Sequence, residues 1–221
     1  MHSTIKKLIN INKQIKSKIA NLDNYNIEPK VIAVSKTFKM DHILPLIDHG
    51  HKHFGENKVQ EAVEKWSDIK KKNKDLKLHL IGKLQSNKVK FVSGLFDYIH
   101  SLDNLKLAEK IFIEQKKLNK YLKIFIQVNI GNEQQKGGID PKNLKEFYNE
   151  CVSKFKLNIV GLMCIPPNEG DVKFFFNQMF QLNKSLNLKE LSMGMSSDFL
   201  EAIEQGSTFV RIGSKIFGDR H

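Results

Sequence analysis

Short apolar segments alternate with amphipathic helical segments along the whole 221-residue chain, and this alternation limits the fold more than any other feature. The predicted strands are residues 31–35, 52–56, 78–81, 98–102, 123–130, 159–165, 191–195 and 209–212. Helical periodicity precedes the first strand, where Ser3 is the predicted cap, and returns between the later strands. Eight such units predict an α/β fold, a single (β/α)8 TIM-type barrel with an extra N-terminal helix. A doubly wound open sheet is the alternative, but the short, even units favour the barrel.

No linker, internal repeat or low-complexity stretch interrupts the pattern, so we expect one domain over residues 1–221. Trp66 and the Phe-rich helix over 172–186 are predicted to pack against the barrel. The side chains of that helix expected to face inward are Phe175, Phe176, Met179 and Phe180. Cys151 and Cys164 lack the spacing of a metal site or a disulfide framework, so both are predicted to be core thiols.

The formal net charge is +12, and it argues for no particular partner. Nearly every cation is Lys, Arg211 and Arg220 being the exceptions, and the lysines are spread along the whole chain. A nucleic-acid surface relies on Arg and on interleaved aromatic residues, so no specific nucleic-acid partner is expected. No segment has the ~20 consecutive apolar residues of a membrane span, and residues 1–20 lack a secretory signal. We therefore expect a cytoplasmic protein without a membrane partner.

Lys36 stands at the carboxyl end of the first predicted strand, where barrel proteins carry their sites. Strand alternation places Ile32, Val34 and Lys36 on one face. An amine at the end of such an apolar row can be desolvated, which lowers its pKa and favours attack on a carbonyl group. The alternative is a lysine whose stem lies on apolar surface while its ammonium reaches solvent.

The last two strands end in small and hydroxyl residues that could hold an anion. Gly213 and Ser214 form a turn whose consecutive N–H groups can make an anion nest. Ser196 and Ser197 follow the seventh strand and precede a helix. The loops after strands seven and eight form the usual phosphate site of barrels. The alternative is that these residues serve only as turns and helix caps.

Arg211 is predicted to face the barrel interior together with Phe209 and Gly213. A buried guanidinium needs an acceptor or an acid. Its partner is either a ligand or a buried acid such as Glu56. An amine, an anion cup and an inward arginine together suggest a site for pyridoxal 5′-phosphate (PLP).

Short motifs in order over about 190 residues resemble the pyridoxal phosphate homeostasis protein family (YggS/PROSC-like). They are Ala33-Val34-Ser35-Lys36-Thr37, Phe54-Gly55-Glu56-Asn57, His79-Leu80-Ile81-Gly82, Leu84-Gln85-Ser86-Asn87-Lys88, Gln127-Val128-Asn129-Ile130, Gly161-Leu162-Met163, Leu191-Ser192-Met193-Gly194-Met195-Ser196, Val210-Arg211-Ile212-Gly213-Ser214 and Ile216-Phe217-Gly218. The resemblance implies a barrel like the N-terminal domain of alanine racemase, with PLP as the cofactor. It implies a protein that takes part in vitamin B6 and, indirectly, amino-acid homeostasis, with no established turnover.

Residue by residue, the resemblance implies that Lys36 holds PLP reversibly as an aldimine and that Arg211 faces the pyridine nitrogen. It assigns phosphate contacts to Ser196, Gly213 and Ser214, with Ser197 as a neighbour, and it places Asn57 close to the ring. Lys136 matches a second lysine that captures PLP in some members. The expected partners are PLP and, as recipients, PLP-requiring apoenzymes, and the expected state is a monomer.

A PLP-dependent racemase, or another fold-type III enzyme, is the alternative function. An arginine at the pyridine nitrogen, instead of an acid, makes the ring a weaker electron sink. A racemase also needs a second base, which in alanine racemase is a tyrosine from a second domain that this sequence lacks. None of the tyrosines ends a predicted strand; they are Tyr25, Tyr98, Tyr121 and Tyr148. We therefore expect binding without turnover.

Histidines offer two further possibilities. His49, His51 and His53 have the alternate spacing of one strand edge, but they fall at the amino end of the second strand. A metal site there lacks a second ligand cluster, so surface histidines in solvent are expected. His79 lies either near the ligand or in the core as a histidine with its hydrogen bonds satisfied.

Overall fold

The computed structural model describes residues 1–22, 28–133 and 135–218, so Tyr25 and Arg220 lie outside the described residues. The strands are β1 Lys30–Val34, β2 His53–Glu56, β3 Lys77–Leu80, β4 Tyr98–Leu102, β5 Lys123–Gln127, β6 Ile159–Met163, β7 Glu190–Ser192 and β8 Phe209–Ile212. The α-helices are α1 Ser3–Ala20, α2 Met40–Asp48, α3 Val59–Lys72, α4 Val89–Leu95, α5 Leu105–Leu118, α6 Leu144–Ser153, α7 Val172–Ser185, α8 Phe199–Glu204 and α9 Ser214–Phe217. Single 3-10 turns at Ser86–Lys88 and Pro141–Asn143 precede α4 and α6.

The strands form a closed parallel barrel in the order β1 to β8. The closing pair is β1 with β8, in which Val31 lies opposite Val210. The predicted TIM-type barrel with an extra N-terminal helix is confirmed, and the open-sheet alternative is wrong, because an open sheet has no such closing pair.

Strand ends differ most from the prediction at β5 and β7. The apolar pattern continues to Ile130, but β5 ends at Gln127, after which Val128 makes only an isolated bridge to Ile139. β7 ends at Ser192, two residues before Gly194, whose φ is +88°. A positive φ cannot continue a strand, so the residues after Gly194 turn out of the sheet.

Two apolar clusters stabilise the barrel. The larger one fills the layer between the strands and the surrounding helices, and includes Trp66, Ile111 and Phe176. The smaller one lies inside the barrel and consists of Ile32, Tyr98, Phe125, Met163 and Phe209. The barrel interior is therefore a packed core beneath any site at its rim.

Helix ends and faces show smaller corrections. His2, and not Ser3, caps α1, since its imidazole accepts from the N–H of Thr4. On α7, Phe176 and Met179 are buried as predicted, Phe175 is only partly buried, and Phe180 is exposed. The buried face is centred on Phe176, Met179 and Asn183, so Phe175 and Phe180 lie at its two edges.

The two cysteines are buried and free, as predicted for core thiols. Burial raises the pKa of the Cys151 and Cys164 thiols to about 12, so neither is a reactive thiolate near neutral pH. Among the described residues, we find no helix with the length and apolar character that crossing a membrane requires.

Candidate functional site

A cavity of about 710 Å³ opens at the carboxyl ends of the strands. Its lining includes all seven residues that the sequence predicted as cofactor-binding, which are Lys36, Asn57, Ser196, Ser197, Arg211, Gly213 and Ser214. Its size falls in the range of about 300–1,000 Å³ of small-molecule sites. Apolar walls come from Val34, Phe38, Ile81, Ile165 and Met195. The structure thus brings the seven residues together, while their role in binding stays a prediction.

Lys36 is the second residue after β1 and continues the inward row of that strand. Ile32 is fully buried in the barrel interior, and Val34 and Lys36 line the cavity above it. Lys36 itself is partly buried. The Lys36 side chain therefore follows an apolar row, and its ammonium can reach the cavity.

The turn that carries Lys36 has a strained backbone held by neighbouring charged groups. Thr37 has a φ of +70°, which a β-branched residue rarely adopts. Its N–H donates to Oε1 of Glu61 over 2.7 Å, and Nζ of Lys65 donates to the carbonyl oxygens of Ser35 and Phe38. Burial raises the pKa of Glu61, but the Thr37 N–H and Lys65 together hold that pKa below its usual value. This arrangement fixes the direction in which Lys36 leaves β1.

Glu56 is fully buried beside this turn, and its partner is Lys65. Its Oε1 accepts from the hydroxyl of Ser35 and the indole N–H of Trp66 and lies 2.8 Å from Nζ of Lys65. The predicted alternative of an ion pair between Glu56 and Arg211 is therefore wrong. Trp66 also does more than pack, since it donates to this carboxylate.

Arg211 is 5% exposed, and its hydrogen bonds in the described part of the chain go to neutral groups. One terminal nitrogen donates to the carbonyl oxygen and hydroxyl of Ser192, over 2.8 and 2.7 Å, and the other to the carbonyl oxygen of Cys164 over 2.8 Å. Within residues 1–22, 28–133 and 135–218, no carboxylate lies within 4.0 Å of it, and burial lowers its pKa. These bonds use three of the five guanidinium N–H groups. A buried cation without an acid favours an anion or acceptor in the adjoining cavity.

The loops after β7 and β8 meet at the cavity. The N–H of Gly213 donates to the hydroxyl of Ser196 over 3.3 Å, which joins the two loops. The N–H of Met195 donates to Asp198, so Asp198 stabilises the turn that presents Ser196 and Ser197. The first N–H groups of α9 have no partner within the helix, as at any helix start. Hydroxyl and backbone donors therefore gather at this wall, as an anion requires.

Gly82 and Gly213 differ in whether the protein itself leaves room for a side chain. A Cβ on Gly82 would overlap the backbone of Asn57, so glycine there lets the loop after β3 support Asn57. A Cβ on Gly213 would lie 3.6 Å from Val34, an ordinary contact. The protein could therefore accommodate a Cβ at Gly213, and that Cβ would occupy part of the cavity.

The histidines lie differently from the prediction. His49 is exposed, but His51 and His53 are partly buried, and His53 bonds to His79. Burial lowers the pKa of both His51 and His53 to about 4, so the surface assignment is wrong for these two. His79 is fully buried, has hydrogen bonds at both ring nitrogens and is not among the described residues that line the cavity, so the core alternative describes it. No metal-binding group of three or more His, Cys, Asp or Glu occurs in the described part of the chain.

Lys136, Tyr98, Tyr121 and Tyr148 are not among the described residues that line the cavity. Lys136 pairs with Glu133 over 2.6 Å and donates to the carbonyl oxygen of Pro166. Tyr98 is buried inside the barrel, Tyr121 is exposed, and Tyr148 is partly buried on α6. Capture of a second PLP by Lys136 therefore stays a prediction.

Comparison with known proteins shows the family of the chain. Residues 12–221 match the family model of the alanine racemase N-terminal domain. The pyridoxal phosphate homeostasis protein of Aquifex aeolicus is 42% identical over 200 residues, 86% of this chain and 87% of the relative. The chain belongs to the pyridoxal phosphate homeostasis protein family. The protein of that name from Vibrio cholerae is 39% identical and covers 100% of this chain and 98% of its own length.

A solved member of similar size confirms the fold. PipY of Synechococcus elongatus, whose structure was solved with PLP bound, is 34% identical. It superimposes with a TM-score of 0.81 over 94% of this chain and 100% of PipY. The PLP-free structure of PipY gives a TM-score of 0.85 at 32% identity, over 98% of this chain.

Proposed function

We propose that this member of the pyridoxal phosphate homeostasis protein family binds PLP reversibly through Lys36 and thereby takes part in vitamin B6 and, indirectly, amino-acid homeostasis. The observation that carries the proposal is the cavity shared by Lys36 and the buried Arg211, whose hydrogen bonds go to neutral groups. PLP bound in PipY and the shared names of the relatives support it.

The residues present fit PLP. Its aldehyde needs a primary amine, its ring a flat space with an apolar wall, and its phosphate a set of donors. Lys36 is the amine, Val34 and Ile81 are among the apolar lining, and the loops of Ser196 and Gly213 carry the donors. When bound, PLP supplies an electrophilic aldehyde and an electron-withdrawing ring.

The side chains divide the work of holding the ligand. The Lys36 amine attacks the aldehyde carbon and one water leaves, so that water or a second amine can reverse the bond. Arg211 would donate to an acceptor at the ring nitrogen and keep its own proton, since a guanidinium is not deprotonated in proteins. Ser196, Ser197 and Ser214 are placed to donate to the phosphate, and Asn57 to contact the ring.

Reversible holding fits the cavity better than amino-acid turnover. The described lining residues include no carboxyl, imidazole, phenol or thiol group that could act as a second base, Lys215 being the other amine besides Lys36. An arginine at the ring nitrogen also favours weaker electron withdrawal than an acid does. A PLP-dependent racemase remains the second candidate, because the alanine racemase N-terminal domain matches almost the whole chain.

The test is attachment of PLP to one lysine. We expect purified protein with PLP to show the visible absorption of lysine-bound PLP, and Lys36→Ala to abolish it. Lys215→Ala and Lys136→Ala are matched controls, the first on the cavity wall and the second outside it. Borohydride reduction and mass spectrometry locate the pyridoxyl group. A reduced adduct on another lysine, with full absorption in Lys36→Ala, contradicts the proposal.

The setting of this function is a cytoplasmic monomer that gives PLP to PLP-requiring apoenzymes. The two unpaired buried cysteines support a reducing compartment. Light scattering tests the monomer, and transfer to an apoenzyme across a time course tests delivery. Incubation of the loaded protein with single amino acids, followed by chiral chromatography, tests for racemase activity, which Lys36→Ala must remove if the alternative is right.

A further inference from the structure

A continuous row of hydrogen bonds runs through the barrel interior from its amino end to Arg211. Nδ1 of His53 lies 3.0 Å from Nε2 of His79, and Nδ1 of His79 lies 2.9 Å from Nε2 of His100. Nδ1 of His100 lies 2.9 Å from the hydroxyl of Ser192, to which Arg211 donates over 2.7 Å. We call His53, His79, His100 and Ser192 the histidine chain. It connects β2, β3, β4 and β7 with β8.

The histidine chain is more than core filling. The imidazole of His79 stacks on Tyr98 with ring centres 4.2 Å apart, and that of His100 on Phe125 at 4.3 Å. His79, His100 and Ser192 are fully buried. Phenylalanine could occupy these places without the cost of removing imidazoles from water. Because this row of buried polar groups ends at a buried cation, its hydrogen bonds are expected to act on that cation.

The imidazoles of the histidine chain are neutral near pH 7. Burial lowers the pKa of His79 and of His100 well below the usual value, helped by His100 at the first and by Arg211 at the second. Burial likewise lowers the pKa of His53 to about 4, with His51, Lys30 and Lys77 acting in the same direction and Asp97 opposing them. A neutral imidazole donates through one nitrogen and accepts through the other. The hydrogen bonds of the histidine chain can therefore all donate in one direction along the row or all in the opposite direction, and we call these the two donor orders.

Arg211 selects one of these two orders. Because a guanidinium only donates, the Ser192 oxygen accepts from it. If the Ser192 hydroxyl donates to Nδ1 of His100, the Nε2–H of His100 donates to Nδ1 of His79 and the Nε2–H of His79 donates to Nδ1 of His53. Every polar atom from the Ser192 hydroxyl to Nδ1 of His53 then has a partner. In the opposite order, Ser192 accepts twice and its proton has no acceptor in the hydrogen bonds of the described residues. The first order also turns the negative end of each dipole toward Arg211, which Coulomb's law favours.

We propose that the histidine chain positions the guanidinium of Arg211. Its ordered neutral dipoles offset the charge of this buried arginine, a charge that a carboxylate usually balances. Since Arg211 faces the ligand cavity, the chain sets how firmly the guanidinium can donate to a ring nitrogen there. This inference rests on the proposed function for its effect on PLP, but not for its donor order. The residues of the chain are positioning residues and do not touch the ligand.

The donor order is tested in the PLP-free protein. Nitrogen-15 NMR of labelled histidines at pH 7.5 is expected to find His53, His79 and His100 all protonated at Nε2 alone. Arg211→Met removes the charge that selects the order, and at least one of the three is then expected to change tautomer or become a mixture. A proton on Nδ1 of any of the three in the wild-type protein overturns the proposal.

The effect on binding is tested with substitutions of His100. His100→Phe preserves the stack on Phe125 but leaves the Ser192 hydroxyl without its acceptor, and we expect PLP affinity to fall tenfold or more with a shifted absorption maximum. His100→Asn restores an acceptor near the former Nδ1 and is expected to recover most of both. His53→Phe changes the far end and is expected to have the smallest effect.

Two failures are distinguishable. Absence of PLP attachment to Lys36 in the wild-type protein removes the proposed function, yet leaves the tautomer result standing. Normal PLP affinity and absorption in folded His100→Phe removes the positioning role, yet leaves the proposed function standing. If His100→Phe does not fold, the comparison of wild type with His100→Asn and Ser192→Ala decides, since unchanged affinity and absorption in Ser192→Ala equally overturn the role.

Discussion

Nζ of Lys65 lies 2.8 Å from Oε1 of Glu56, and the same ammonium donates to the carbonyl oxygens of Ser35 and Phe38 on either side of Lys36. The ion pair is almost completely buried. One lysine thus joins the acid of β2 to the turn that ends β1. The turn that carries the lysine proposed to attach PLP is therefore held by a second lysine, which is not among the described lining residues of the cavity.

Removing Lys65 is expected to destabilise the protein strongly. Lys65→Met leaves Glu56 as an uncompensated buried charge, which typically costs about 3–5 kcal/mol. The double substitution Lys65→Met/Glu56→Gln removes both charges and is expected to recover part of the loss. Urea unfolding gives the free energies. Lys71→Met, which breaks the exposed pair with Asp68, is the control and is expected to cost less than about 1 kcal/mol. Equal losses for Lys65→Met and Lys71→Met contradict the prediction.

Replacing Thr37 by glycine is expected to slow ligand attachment without lowering the free energy of unfolding. Thr37→Gly relieves a left-handed conformation worth about 1–2 kcal/mol for an ordinary residue, although glycine adds entropy to the unfolded chain. The free energy of unfolding is therefore expected to stay level or rise slightly. The rate of PLP attachment, followed by stopped-flow absorption, is expected to fall because the Lys36 turn loses its fixed direction.

Asn119 supplies the matched position for that experiment. It caps α5 with a φ of +47° and lies outside the cavity lining. Asn119→Gly is expected to leave the PLP attachment rate unchanged. A similar rate in Thr37→Gly and wild type would show that the strained turn has no part in ligand attachment.

Stability is expected to decrease as the solution is acidified, because buried histidines bind protons only after unfolding. The pKa of His51 is about 4 in the folded protein and near its ordinary 6.5 in the unfolded chain. Its contribution is complete above pH 6.5 and is lost as the pH falls toward 4. For His51 this amounts to roughly 2 kcal/mol between pH 7 and pH 5, and His53 adds in the same direction.

Urea unfolding at pH 7 and pH 5 measures this loss. His51→Gln keeps a donor for the carbonyl oxygen of His53, the bond that His51 makes, but does not titrate, so the pH dependence is expected to be shallower. His42→Gln replaces an exposed histidine and serves as the control. A pH dependence that is the same in wild type and His51→Gln would refute the assignment of this proton uptake to His51.

The repeating pattern of the sequence predicted the barrel, and because strand ends of a parallel barrel share one rim, it also indicated where Lys36, Arg211 and the loops after the last two strands lie. Asn57 was assigned to the site through the family resemblance.

The repeating pattern did not reveal Lys65 as the partner of Glu56, since Lys65 is a helix residue that resembles any solvated lysine. The histidine chain was also missed, because His100 and Ser192 are 92 residues apart and only strand register brings them together. Periodicity shows which residues face inward, but it does not show which of them lie at the same depth.

Gly213, which lines the cavity, and Gly194, which is not among its described lining residues, are expected to respond oppositely to a single methyl group. Gly213→Ala adds a Cβ with only ordinary contacts in the protein, so its free energy of unfolding is expected to stay within about 0.5 kcal/mol of wild type. PLP affinity is expected to fall at least tenfold, because the methyl group takes space in the proposed phosphate site. Pyridoxal, which lacks the phosphate, is expected to lose much less.

Gly194→Ala reverses this outcome. Its Cβ would lie 2.5 Å from that of Ala202, and its φ of +88° disfavours any side chain, so it is expected to destabilise the fold by about 1–3 kcal/mol. Equilibrium titration with PLP and pyridoxal, together with urea unfolding, separates the two effects. If Gly213→Ala weakens PLP and pyridoxal equally, the phosphate does not lie at Gly213, because only a phosphate contact distinguishes the two ligands.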